Sequence, residues 1–332
     1  MEETKNRKKI VCIGGGTGTS VVLSGLKKYP VDLSVVVAMS DSGGSNKVIR
    51  DEFGLLPTSD IRQCLIALAD SQEGSTDLLR QLFVYRFHQA EGIKGNTFGN
   101  LFMAALTDIL SSQKEAIKKT GEILRIKGRI LPVTYSDSNL VGIFENGMKV
   151  VGEHEIDMPE HDGSLKIDKL YLEPESKANP EAVEAILEAD LVVIGPGDLY
   201  TSLVPNFLVK GIKEALTETK AKKVFVLNLM TRYGQTYGYS AKNHIEDLEK
   251  YIGKIIDFIL VNSKKMPFEI LKQYEEEKAF PVEDNLEKDY FDIIRDDMLS
   301  EQKTKKVDGD IVQRSLIRHD SEKVAKTIIN LL

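Results

Sequence analysis

The chain has no tryptophan, two cysteines and five histidines among its 332 residues. Each scarcity excludes a kind of chemistry. Cys12 and Cys64 lack C-x-x-C spacing, which argues for reduced thiols and a cytoplasmic protein rather than a disulfide or redox framework. His88, His154, His161, His244 and His319 show no paired spacing, so a zinc centre is not expected. No apolar run approaches the roughly 18 residues of a membrane span, and the N-terminal residues hold no apolar signal segment. Basic residues are outnumbered, 44 Lys and Arg against 51 Asp and Glu, for a net charge of −7. Lys5 to Lys9 is a short basic run at a solvated end, so nucleic acid is not expected as a partner.

What is present is an α/β pattern. Apolar residues make up 42% of the chain, enough for a substantial core. Short runs that are apolar throughout fall at Ile10–Ile13, Leu33–Met39, Leu191–Ile194, Val224–Leu229 and Phe258–Val261, as expected for strands covered on both faces. Helices are expected at Thr19–Lys27, Asp60–Ala69, Asp77–Val84, Thr97–Leu110, Glu115–Leu124, Pro180–Leu187, Val204–Leu216, Ile245–Tyr251 and Glu322–Leu331. The order predicts one domain over residues 1–332, a doubly wound, mostly parallel, Rossmann-like sheet. Residues 129–172 alternate in polarity around Asn146-Gly147 and read as a small antiparallel β-rich insertion. Residues 264–306 are polar and charged, and read as a C-terminal capping insertion that carries Thr304 as a phosphorylatable hydroxyl.

The richest segment is Ile10-Val11-Cys12-Ile13 followed by Gly14-Gly15-Gly16-Thr17-Gly18-Thr19. It reads as strand, phosphate loop and helix. Glycines bring bare N–H groups close to an anion, and the helix N-terminus adds partial positive charge. The loop is not a Walker motif, because Thr19 follows Gly18 where a lysine is needed. It departs from the dinucleotide fingerprint too, since Thr19 stands at the third glycine position. Asp41, after the second strand, is placed to reach a ribose. A hydride-transfer enzyme using NAD would rest on this loop alone, and the plain alternative is a strand–helix turn without a ligand.

Ligands in open parallel sheets bind beyond the carboxyl ends of the strands. The loops there are Ser40-Asp41-Ser42-Gly43-Gly44-Ser45, Gly195-Pro196-Gly197-Asp198-Leu199-Tyr200-Thr201-Ser202, Asn228-Leu229-Met230-Thr231 and Asn262-Ser263. Each alone could be turn chemistry. Together with the glycine loop they offer amides, hydroxyls and backbone donors suited to a phosphosugar or nucleotide. Two helix starts join them, Pro57 to Leu65 with Asp60 and Arg62, and Gly95 to Phe102 with Asn96 and Asn100. Asn96 reads as an N-cap and Asp60–Arg62 as a local ion pair, whereas capping cannot account for Asn100.

Taken in order, Gly14–Gly18, Asp41–Ser45, Gly95–Leu101, Gly195–Leu203 and Asn228–Thr231 resemble the gluconeogenesis-factor (YvcK-like) branch of the 2-phospholactate-transferase-like (CofD-like) superfamily, from about Ile10 to about Ala325. The resemblance implies the CofD-like fold. For the factor branch it implies a cytoplasmic protein that binds a UDP-sugar such as UDP-N-acetylglucosamine and is needed for cell shape and cell-wall homeostasis during gluconeogenic growth, with a protein partner in cell-wall precursor synthesis. It implies a ligand-binding arginine near the C-terminus, which is Arg318 here. For the transferase branch it implies transfer of a phosphoryl-linked group from a nucleotide-activated donor with a divalent metal. Paired aspartates are frequent in that branch where this chain has Asp41-Ser42, which leaves Asp41 as the candidate Mg²⁺ ligand. After Asn228–Thr231 the factor branch often has Gln-Pro-Gly-Glu-Thr, where this chain has Arg232-Tyr233-Gly234-Gln235-Thr236.

The expected ligand set is therefore Gly14, Gly15, Gly16, Thr17, Gly18, Thr19, Asp41, Ser42, Gly43, Asn96, Asn100, Gly195, Pro196, Gly197, Asp198, Tyr200, Asn228, Met230, Thr231, Asn262 and Arg318. Asp41, Asp60 and Arg62 are the candidates for catalysis under the alternative transferase reading. A homodimer is expected from the prevalence of symmetric assemblies.

Overall fold

In the computed structural model, residues 7–70, 75–89, 92–301 and 316–332 are described. The apolar runs become strands: β1 (Lys9–Gly14), β2 (Asp32–Val37), β3 (Arg129–Pro132), β4 (Asn139–Phe144), β5 (Lys149–Val151), β6 (Ile167–Glu173), β7 (Leu191–Ile194), β8 (Lys222–Val226), β9 (Phe258–Asn262) and β10 (Asp292–Asp296). A seven-stranded sheet runs β10-β9-β8-β7-β1-β2-β3, and a three-stranded one runs β5-β4-β6. Every pairing in the large sheet is parallel; Cys12, for example, lies between Val35 and Val193. The small sheet is antiparallel. The β1, β2, β7 and β9 side chains are buried almost throughout, as a sheet covered by helices on both faces requires.

Two boundaries differ from the sequence expectation. Arg129–Pro132 joins the large sheet beside β2, with Ile130 opposite Val35, so the antiparallel insertion begins at Asn139 rather than at residue 129. Ile130 and Leu131 are both buried, a doubly covered pattern that belongs to a parallel sheet. The polar segment expected as a cap contributes β10, parallel to β9 at the sheet edge. Its Asp-Ile-Ile-Arg-Asp sequence is the charged composition that edge strands carry. Residues 302–306 of the expected cap, Thr304 included, lie outside the described residues.

The expected helices form, with one split, and among the described residues three further α-helices appear, Gly44–Phe53, Glu153–Asp157 and Phe268–Glu276. The Val204–Leu216 prediction resolves into Val204–Phe207 and Ile212–Glu218, parted by Gly211 at φ +109°. Gly44–Phe53 is helical although it opens with poor helix formers, and Gly54 stops it at φ +64°. The start of the Ser59–Leu68 helix is capped from a distance, because Asn46 Oδ1 accepts from Thr58 N and Ser59 N at 3.1 and 3.2 Å. The following Phe98–Leu110 helix is capped by Thr97, not Asn96.

The chain leaves β1 for β2 and β3 on one side and returns to β7 on the other. That reversal makes β1/β7 the topological switch point, where open α/β sheets leave a crevice at their carboxyl ends. The main core runs under the whole large sheet. A second small core of Leu229, Ile270, Tyr274, Ala279, Leu299 and Ile317 sits on the β8/β9 end and forms one side of the crevice.

Candidate functional site

A cleft of about 430 Å³ opens at the switch point. Its floor is the glycine loop, Gly15 to Gly18, at the start of the Gly16–Leu26 helix. Gly16 sits at φ +64°, a left-handed conformation open to glycine. Gly18 packs against the next loop so closely that a Cβ there would lie 2.8 Å from the Pro196 carbonyl carbon. Pro196, Gly197, Asp198 and Ser202 form the adjoining side, and Asn228 to Tyr233 close it beyond β8. Tyr274, Glu277, Ala279, Ile317, Arg318 and His319 line the opposite wall.

Of the residues expected from sequence, Gly15, Gly16, Thr17, Gly18, Pro196, Gly197, Asp198, Asn228, Met230, Thr231 and Arg318 line this cleft. Others hold the walls in place. Gly14 ends β1 and packs against Thr19, whose hydroxyl donates to the Pro196 carbonyl at 3.4 Å. Gly195 takes φ +74° and leads into a cis peptide at Pro196. Asn262 donates to the Lys264 carbonyl at 2.8 Å and accepts from Met298 N at 3.1 Å. The Tyr200 hydroxyl is buried with Tyr239 and Asp247, donating to the Asp247 carboxylate. Asn100 accepts from Arg62 Nε at 3.0 Å and donates to Ser59 at 3.2 Å, which accounts for an asparagine inside a helix. Asn96 is buried beside this group and takes its backbone partner from Phe87.

Asp41, Ser42 and Gly43 face the β-rich insertion. Ser42 Oγ accepts from His154 N at 3.1 Å, and Ser42 N donates to Glu153 at 3.4 Å. This docking sets the short Glu153–Asp157 helix beside the Leu199–Leu203 turn, with Asp157 in the lining of the cleft. Asp60 accepts from Gly16 N, and a Cβ on Gly15 would overlap the Asp60 carboxylate. Asp41, Asp60 and Glu153 thereby come within electrostatic reach of Asp157 and Asp198, the two carboxylates of this group that line the cleft.

That cluster holds more negative charge than it neutralises. Burial, then the charge of Asp41, pushes Asp60 up to about 7, against the opposing Gly16 hydrogen bond and Arg62 charge. Burial and the neighbouring carboxylates raise Glu153 well above its usual range, and burial raises Asp41 beside it. Burial pushes Asp157 up to about 6 even though Arg232 pairs with it at 2.7 Å. Arg232 also stands 3.8 Å from Asp198 and projects into the cleft. Gln235 ties the same Asp157 to Thr201 through its amide, at 2.8 and 3.1 Å.

Among the described residues no three His, Cys, Asp or Glu side chains converge in a metal-ligating cluster. Asp41 and Asp60 nevertheless fit the share of protein ligands that Mg²⁺ takes when phosphate oxygens complete its shell. Sequence reasoning missed Glu153, Asp157 and His319, which reach the site from distant elements. Arg232 and Tyr233 directly follow an expected loop and carried the signal that could have found them.

Comparison with known proteins agrees with this geometry. Residues 10–299 match the family model described as 2-phospho-L-lactate transferase CofD. The chain is 38% identical to the gluconeogenesis factor of Bacillus subtilis over 98% of each chain. It is likewise 38% identical to the gluconeogenesis factor of Halalkalibacterium halodurans, over 97% of this chain and 96% of that one. The crystal structure of a Bacillus halodurans protein superimposes with a TM-score of 0.87 at 36% identity, covering 98% of this chain and 100% of that one. No helix among the described residues is long and apolar enough to cross a membrane.

Proposed function

The chain belongs to the 2-phospho-L-lactate transferase CofD family, and we propose that it is a gluconeogenesis factor that binds a nucleotide sugar, of the UDP-N-acetylglucosamine kind, in the switch-point cleft. The observation that carries the reading is one cleft joining a bare glycine loop at a helix N-terminus to a wall of amides and apolar side chains. Gly15 to Gly18 supply backbone donors for the diphosphate. Arg318 supplies positive charge, and Asn228 and Thr231 supply polar contacts for the base or sugar. The carboxylates on the insertion side suit sugar hydroxyls, which donate to them. Relatives bearing the name gluconeogenesis factor support a role in gluconeogenic growth, to which this reading adds cytoplasmic supply of cell-wall precursors and cell shape. The protein then works by ligand-dependent contact with a partner.

The test is a thermal melt with UDP-N-acetylglucosamine, with chromatography of the ligand afterwards. A concentration-dependent rise in Tm with the ligand recovered intact is the expected result. No shift with any UDP-sugar overturns the reading.

One observation favours a second reading. Asp60, raised to about 7 and bonded to the glycine loop, is poised as a general base for an acceptor hydroxyl. In a transferase of phosphoryl-linked groups, Asp41 would hold Mg²⁺ against the phosphates while Asp60 takes the proton, and the metal would offset the phosphates' developing charge. Mass spectrometry after incubation with nucleotide-activated donors and acceptor alcohols decides between the two, since only the transferase yields a new product.

A further inference from the structure

The wall opposite the glycine loop holds two buried acceptors with no partner among the described residues, His319 Nε2 and Asn228 Oδ1. Both side chains line the cleft. The His319 ring is 7% exposed, and its segment is tied down by a bridge to Leu299 and by Asp320 N donating to Met298 O at 2.7 Å. The imidazole bonds the Leu227 carbonyl. Since Nε2 has no partner, Nδ1 carries the proton of that bond, and Nε2 is left with a free lone pair. Burial pushes this histidine down to about 4, so Nε2 remains an acceptor across the neutral range. The neighbouring Asn228 is fixed the same way, because its Nδ2 donates to the Gly197 carbonyl at 2.8 Å and turns Oδ1 away.

An unsatisfied buried acceptor costs about 1–3 kcal/mol, and two on residues that line one cleft call for a ligand that donates. Met230, Tyr274, Ala279 and Ile317, which belong to or pack against the second small core, give the cleft an apolar area against which a flat ring can pack. We infer that His319 is a specificity-determining residue for the base of the bound nucleotide: its Nε2, with Asn228 Oδ1 beside it, accepts from a lactam N–H, the group that uracil and guanine carry and that adenine and cytosine lack. The inference rests on the nucleotide reading above. Adenine and cytosine seated in the same pose turn a ring nitrogen lone pair toward these acceptors, and to offer the exocyclic amine instead the ring must shift away from the wall that holds it, which costs affinity. Both protein atoms are closed to solvent. A base therefore reaches them by parting the Asn228–Thr231 loop from the Ile317–His319 segment.

Calorimetric titration of the full chain at pH 7.5 tests this with UDP, GDP, ADP, CDP, N3-methyl-UDP and N1-methyl-GDP. At least one lactam nucleotide should bind about tenfold or more tighter than its N-methylated form and than ADP or CDP. The UDP and GDP arms identify which base supplies the N–H. His319→Phe should bring these affinities within about threefold of one another, while His319→Gln, which keeps an acceptor, should retain part of the preference. Melting curves of the free variants report folding, and the methylated ligands test the wild-type protein without any substitution. Equal affinity for a nucleotide and its methylated form, or discrimination undiminished in His319→Phe, overturns the assignment. If neither the nucleoside diphosphates nor any UDP-sugar binds the wild-type protein, the nucleotide reading itself falls.

Discussion

Asp60 shows how a single side chain records the demands of the site. Its carboxyl, raised to about 7 by burial and by Asp41, keeps its proton in the folded protein at pH values where an unfolded aspartate near 3.9 has lost it. The folded state therefore binds more protons between those values, and stability falls as pH rises through about 7. Asp60→Asn removes the charge and keeps an acceptor for Gly16 N. It should raise Tm at pH 8 by a few degrees, on the order of 1–2 kcal/mol after allowance for solvent screening, with the gain shrinking toward pH 4. Calorimetric melts at the two pH values check this, and an unchanged or lowered Tm at pH 8 removes the strain argued here. Gly18→Ala makes the opposite case. Its added methyl meets the Pro196 carbonyl, which is backbone and has little freedom to yield. A loss of about 1–3 kcal/mol is expected in urea melts, together with weakened nucleotide binding. The glycine loop was legible in the sequence because its geometry is set within a few neighbouring residues. Asp60 was legible as a candidate, but its charge state was not, since that depends on Asp41, Asp198 and the bulk of the folded protein around it.

At the scale of elements, the short Glu153–Asp157 helix is the piece that sequence reading left unremarked inside the insertion. Alternation around Asn146-Gly147 identified the insertion correctly as a small antiparallel sheet. Nothing in that pattern says which way the sheet leans, and its lean decides whether Glu153 and Asp157 reach the glycine loop. The clamp is Arg232, on the loop after β8, which pairs with Asp157 while Gln235 bonds the same carboxylate. Arg232→Ala leaves Asp157 and Asp198 without their cation in a wall already overcharged. Removing one partner of a buried pair commonly costs about 3–5 kcal/mol, and with Arg232 30% exposed the loss here should be smaller, on the order of 1–2 kcal/mol. Hydrogen exchange should quicken at Glu153–Asp157 and leave β1 and β7 unchanged. Uniform protection in the variant would mean that other contacts hold the insertion. A comparable limit applied to β10 and β3. Both are edge strands whose partners are fixed only when the whole sheet assembles, so local periodicity gave them to neighbouring insertions.

At the scale of the molecule, the cleft sets a helix N-terminus that attracts a diphosphate beside Asp157 and Asp198, with Asp41, Asp60 and Glu153 within electrostatic reach outside its lining, and these carboxylates repel it. The two effects are reconciled by protons. Bringing a diphosphate against carboxyls already raised to about 7 and about 6 favours their neutral forms further, so the complex holds more protons than the separate components. Affinity must then rise as pH falls through that window, by at most tenfold per pH unit for each proton taken up. UDP-N-acetylglucosamine is a suitable probe because its esterified diphosphate does not itself titrate near neutrality. In metal-free buffer, binding should tighten about three- to tenfold from pH 8 to pH 6. Titrations in two buffers of different ionisation heat should show net proton uptake. Asp60→Asn should bind more tightly at pH 8 and show a flatter pH profile, because one of the groups that takes up a proton is gone. Affinity that is flat or falls over the same range would place the diphosphate away from the acidic wall, leaving the Asn228–Arg318 side of the cleft to hold the ligand alone.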